Sequence, residues 1–157
     1  MKNYRKVVPI SEMRGDSIKD RQLLHEMYVS AERFLCSFDW CDKVLQAFFG
    51  LGIGGVVAVF LFRIQPNQPS VDRMLWVVVG DLPPAYLVTD KSPTPQAALM
   101  NYILEMRRWI EAVRKGKSVD KAIPVNVPPT RLWARRLEKR LNSLEAAVLD
   151  KAAASVN

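Results

Sequence analysis

The sequence predicts an α+β domain: a three-stranded antiparallel sheet over residues 56–89, preceded by one or two helices and followed by two. Three observations predict it. Two apolar, β-branched runs, 56–64 and 74–79, are joined by Gln65-Pro66-Asn67-Gln68-Pro69-Ser70, the pattern of a hairpin with a longer loop. Both flanks instead repeat apolar residues every three or four positions, which is helical. The 157 residues are 49% hydrophobic and 25% charged, a globular balance at the length of one domain, 1–157.

Residues 1–16 are expected to form an irregular arm. No apolar stretch of a secretory signal follows its basic start, so a cytoplasmic setting is expected. Asp16 or Ser17 caps a helix whose buried stripe is Leu24, Met27, Tyr28, Ala31, Phe34, Leu35 and Phe38. The single histidine, His25, lies beside that stripe with no convergent partners, so it reads as neither ligand nor base. Cys36 and Cys41 have neither the redox nor the zinc spacing. They are expected as buried free thiols beside Phe38 and Trp40, with no metal site and no cofactor. Asp42 to Phe49 reads as a short second helix that ends at Gly50.

Residues 50–64, GLGIGGVVAVFLFRI, admit three readings. A phosphate-binding loop needs its glycines after a strand and before a helix, and here they precede the β-branched run. A membrane span over 44–62 approaches the required length, and Gly50 with Gly54 forms a Gly-x-x-x-Gly pair. In the third and favoured reading the glycines interrupt any helix, at up to roughly 1 kcal/mol each, and a strand starts at Val56. Val77, Val78 and Val79 then make the next strand apolar on both faces. Such a sheet needs cover on both sides, from helices or from another subunit, which motivates a homo-oligomer or a protein partner.

Pro83 and Pro84 cannot serve a central ladder, so the chain is expected to turn there before a short third strand, Ala85–Thr89. Thr94 and Pro95 start a helix as cap and first residue. Leu99, Tyr102, Ile103, Met106, Ile110 and Val113 are its inward stripe and Gly116 its end. A connector over 117–129 carries Pro124, Pro128 and Pro129. Thr130 caps the last helix, which turns Trp133, Leu137, Leu141, Leu144 and Val148 inward. Residues 151–157 are expected to fray.

No catalytic set emerges. The lone histidine is tied to no nucleophile, and no spacing selects a carboxylate pair among Asp72, Asp81 and Asp90. The leading expectation is therefore a non-enzymatic binding or protein-interaction domain. One alternative is a small-molecule enzyme that uses the Gly80–Tyr86 turn, with Asp81, Tyr86 and Asp90 as ligand-binding residues in a cleft shaped by the two prolines. Another follows from charge. The net charge is +7, and residues 105–157 hold twelve Lys and Arg against six Asp and Glu. Arg107, Arg108, Arg131, Arg135, Lys139 and Arg140 could bind a polyanion such as nucleic acid if they share one surface. Trp109 and Trp133 could stack bases, although Trp133 also fits the core stripe. Attachment to a membrane through 44–62 is the remaining alternative.

The string Trp76–Asp90, WVVVGDLPPAYLVTD, resembles the hallmark of a small family of uncharacterised bacterial α+β proteins. Ala98-Leu99-Met100-Asn101-Tyr102 and Pro124-Val125-Asn126-Val127-Pro128-Pro129 extend that resemblance over the last two thirds. It implies a bacterial origin and no particular activity.

Overall fold

A computed structural model describes residues 7–156. The elements are β1 (Val8–Pro9), a 3-10 turn (Ile10–Glu12), α1 (Ile18–Cys36), β2 (Cys41–Ile53), β3 (Val57–Pro66), β4 (Met74–Gly80), β5 (Leu82–Val88), α2 (Pro95–Arg114) and α3 (Arg131–Val156). The strands form one antiparallel meander in the order β1-β2-β3-β4-β5. The class is α+β, but the sheet has five strands and not three.

The predicted hairpin is present. Val57 pairs with Gly80 and Arg63 with Met74, with the intervening residues in continuous register. The expected second helix at Asp42–Phe49 is instead the first part of β2. Its register slips between Cys41 and Lys43, Val44 and Gln46, and Phe49 and Leu51. Each irregularity shifts the two-residue alternation by which a strand is recognised, so a long strand imitates a helical pattern. Gly50 and Gly52 lie inside β2 and admit helices to it. A Cβ on Gly50 would stand 2.6 Å from Pro95 Cβ at the start of α2, and one on Gly52 2.6 Å from Leu24 Cδ2 of α1.

Three further expectations are corrected. The arm is not wholly irregular: Val8 and Pro9 pair with Phe49 and Phe48, while residues 1–6 lie outside the described residues. Pro83 and Pro84 do not turn the chain but sit within β5. This is possible because β5 is an edge strand, where a missing N–H costs no ladder bond on the open side. At the C-terminus, α3 continues to Val156 through most of the stretch expected to fray, and residue 157 lies outside the described residues.

The sheet is apolar on both faces and both are covered by the chain's own helices. Val57, Val59, Leu61, Trp76 and Val78 pack with Leu99, Tyr102, Met106 and Trp109 of α2 and with Leu137 and Leu141 of α3. Ala58, Phe60, Phe62, Ile64, Leu75, Val77 and Val79 pack with Leu24, Ala31 and Leu35 of α1. The helices start where side chains relieve their unpaired N–H groups. Ser17 accepts from Asp20, Thr94 from Ala97, and Thr130 from Trp133. Among the described residues no helix is long and apolar enough to cross a membrane, and residues 44–62 belong to β2, the turn after it and β3.

Candidate functional site

A groove of about 570 Å³ runs along the β5 edge. Its walls are Phe34, Ser37 and Phe38 from the end of α1, Pro84, Ala85 and Tyr86 from β5, and Ile123–Asn126 from the connector. Three local structures hold these walls.

The first is the turn after α1. The Ser37 hydroxyl and N–H both donate to Phe34 O, at 2.6 and 3.2 Å, and the Cys41 N–H donates to Phe38 O at 3.1 Å. Asn67 staples this turn from the β3–β4 loop. Its N–H donates to Trp40 O at 3.1 Å, and its side-chain amide donates to Asp39 O at 2.6 Å and to Asp42 Oδ1 at 2.9 Å. The turn presents Phe38 stacked on Trp40, with centroids 4.9 Å apart and planes 18° from parallel. Both rings meet Tyr86 edge-on at 5.2 Å, and Phe34 meets Phe38 at 5.2 Å. These are the offset and edge-to-face geometries that aromatic quadrupoles favour.

The second is β5. Val77 faces Tyr86 and Val78 faces Ala85 across the ladder. The buried Tyr102 hydroxyl donates to Pro83 O at 2.6 Å, and burial raises its pKa. Among the described residues, no backbone–backbone bond from outside β4 reaches Leu82–Val88, so the outer edge of the strand is open. The third is the connector, where Val119, Ala122, Ile123, Val125 and Val127 rest against the α2–α3 core.

Among the described residues, no Asp, Glu, Lys, Arg or His lines the groove. Its polar groups are Ser37, the Tyr86 phenol and Asn126. A concave, mainly apolar hollow with a few polar atoms is the form of a binding site for uncharged molecules or segments.

The expected ligand residues do not converge. Tyr86 lines this groove. Asp81 lies at the opposite end of β5 from Asp90, exposed, with its N–H donating to Val56 O at 3.0 Å. It borders two smaller hollows, one of about 270 Å³ with Met27 and Ser30 and one of about 160 Å³ with Arg140 and Ser143. Asp90 is exposed beyond Val88.

The basic residues are likewise divided. Arg107 pairs with Glu145 across α2 and α3 at 2.5 Å, and Arg108 with Glu105 at 2.6 Å. Arg131, Arg135 and Lys139 are exposed on α3, whereas Arg140 turns toward the Asp81 hollow. Helical spacing of about 100° per residue accounts for that separation. Both tryptophans pack on the core, as the stripe position of Trp133 leads one to expect. Trp109 is 2% exposed in the core, while Trp133 is half-buried beneath the Arg136 guanidinium at 5.2 Å. Cys41 is buried but Cys36 is exposed, which corrects the expectation of two buried thiols. Among the described residues no group of three or more His, Cys, Asp or Glu could hold a metal ion.

Sequence reasoning found Tyr86 and missed the other walls. Their aromatic contacts span Phe38 to Tyr86, which no local pattern encodes. The available signals were the aromatic cluster Phe34, Phe38 and Trp40 at a helix end, and the alternation of Ile123, Val125 and Val127, which marks an extended segment lying on a core. No known protein family, curated protein or solved structure matches the chain.

Proposed function

We propose that this protein is a non-enzymatic binding domain whose groove takes an extended, uncharged apolar segment of a protein partner. The observation that carries the reading is the coincidence of an uncharged aromatic groove with an open strand edge. Aromatic walls supply contact area, and an open edge supplies backbone groups for an added strand. Pro83 and Pro84 lack N–H groups, so backbone pairing falls to Ala85–Val88. The two prolines also guard the edge against indiscriminate pairing.

The reading favours a protein partner over a second copy of the chain. The apolar sheet faces, which motivated an oligomer, are covered by α1 on one side and by α2 and α3 on the other. A bacterial origin and a cytoplasmic setting belong to the same proposal and rest on the sequence alone.

Selection of a random peptide library against the protein tests it. Enriched peptides should share an uncharged apolar core and lose at least about tenfold in affinity to Tyr86→Ala, the loss typical of one buried aromatic anchor. They should bind Arg135→Ala unchanged. Enrichment of acidic peptides that bind Tyr86→Ala as well as the native chain, with affinity falling steeply with salt, would instead support the basic surface of α3.

A further inference from the structure

Residues 105–157 hold twelve Lys and Arg against six Asp and Glu, and the ion pairs decide where that excess lies. Glu145 and Glu138 of α3 reach back to Arg107 and Arg114 of α2, and Glu105 and Glu111 hold Arg108 and Lys115 along α2 itself. The acids are thus occupied on or beside α2. Glu138 is the only acid among residues 131–140, and its pairing with Arg114 turns it away from the outer face of α3.

That face keeps its cations. Arg131, Arg135 and Lys139 recur at every fourth position, about 40° apart around the helix, and Arg136 lies beside them within an arc of about 140°. All four are exposed, and among the described residues none of them forms an ion pair. Arg140 borders the Asp81 hollow and stands outside this row. The positive end of a helix dipole disfavours cations, yet Arg131 opens α3 and no acid stands in its first turn. The arrangement works against the helix that carries it, and a bound polyanion relieves it.

The class of polyanion follows from what the face offers. A helix that lies in a membrane surface inserts an apolar face, whereas Leu137, Leu141 and Leu144 of α3 are buried in the core, and the exposed apolar residue among 131–140 is Leu132. Single strands stack their bases on exposed rings, whereas Trp133 is half-buried beneath the Arg136 guanidinium. Three of the four cations are arginines, whose planar forks match phosphate oxygens in pairs. The major groove of B-form DNA admits an α-helix, and the deep, narrow one of duplex RNA does not.

We propose that the outer face of α3, through Arg131, Arg135, Arg136 and Lys139, binds the phosphate backbone of double-stranded DNA without regard to sequence. Arg131 to Lys139 extends over about 12 Å of helix axis. Duplex DNA carries one negative charge per roughly 1.7 Å of its axis, so several phosphates fall within that length. This surface belongs to α3, away from the β5 edge, and the proposal does not depend on the groove.

The experiment uses the native chain, no groove ligand and an unchanged Tyr86, so its failure is separate from failure of the peptide reading. Fluorescence anisotropy follows binding to a short labelled DNA duplex. Four phosphate contacts predict a salt slope of about −3.6, which is roughly a 100-fold loss of affinity between about 50 and about 200 mM salt. A duplex of unrelated sequence should bind equally. The triple variant Arg131→Gln, Arg135→Gln, Lys139→Gln should reduce the slope to about −1 and melt no lower than the native chain, since it breaks no ion pair. Arg108→Gln removes one charge from α2 and should bind close to the native chain. Absence of duplex binding at about 50 mM salt, an equal loss in Arg108→Gln, a lowered melting temperature of the triple variant, or tighter binding to single-stranded DNA, duplex RNA or phosphatidylserine vesicles would each overturn the proposal.

Discussion

The Tyr102 hydroxyl reaches from α2 to the carbonyl of Pro83 at 2.6 Å. The bond ties the helix layer to the edge strand that forms one wall of the groove. Tyr102 is 1% exposed, so its phenol has no ready substitute partner. Tyr102→Phe should destabilise the fold by about 1–2 kcal/mol, the net worth of a buried hydrogen bond plus the cost of an orphaned acceptor. Urea unfolding checks this, and an unchanged midpoint would contradict it.

Gly52 is where α1 comes closest to β2. A Cβ there would lie 2.6 Å from Leu24 Cδ2, 3.1 Å from Phe49 Cε2 and 3.2 Å from Ala58 Cβ. Leu24 is 1% exposed and belongs to the core cluster under α1. Gly52→Ala should cost about 1–3 kcal/mol, the usual penalty of overpacking a dense core. Thermal unfolding of the variant should show a lower Tm with the helix content intact.

Alkaline pH should weaken the fold. Burial raises the Cys41 thiol from 9.0 to about 11 and raises the Tyr102 phenol above its ordinary 10.0. The folded chain holds protons that the unfolded chain releases, so stability is complete below pH 9.0 and declines as pH rises toward about 11. Tyr102 extends the decline above its ordinary 10.0. Urea titrations across that window should show the fall, and Cys41→Ala should flatten its first part. Constant stability from pH 9.0 to about 11 would contradict the burial of these groups.

Asn67 should matter to the groove more than to the fold. Its amide holds Asp39 O and Asp42 Oδ1 at an exposed site, so Asn67→Ala should cost only about 0.5–1.5 kcal/mol. Loss of the staple frees the turn that presents Phe38 and Trp40. Affinity for a selected peptide should therefore drop several-fold, measured by calorimetry.

The β3–β4 hairpin was legible because both signals were local: continuous β-branched runs and a proline-rich turn between them. The α2 start was legible for the same reason, since Thr94 and Pro95 act within one turn of helix. β2 was not legible. Three register irregularities break its alternation, and Gly50 and Gly52 look like punctuation when they serve the approach of Pro95 and Leu24. Pro83 and Pro84 misled because position at a sheet edge, which makes them tolerable, depends on strand order. At the site, Tyr86 stood out within a distinctive turn. Its partners Phe38 and Trp40 lie far away in sequence, and the alternation of Ile123, Val125 and Val127 marks an extended segment without saying that it lies beside β5. Asp81 and Arg140 illustrate the same limit, since the hollow they share joins a β-turn to a helix that no local pattern brings together.

The most direct test of the groove is chemical-shift mapping of the protein with a selected uncharged peptide. The account predicts perturbations concentrated at Phe38, Pro84–Val88 and Ile123–Asn126, with slowed amide exchange within Ala85–Val88 as the peptide adds to the edge. Perturbations centred on Arg131, Arg135 and Lys139, with β5 unmoved, would contradict it.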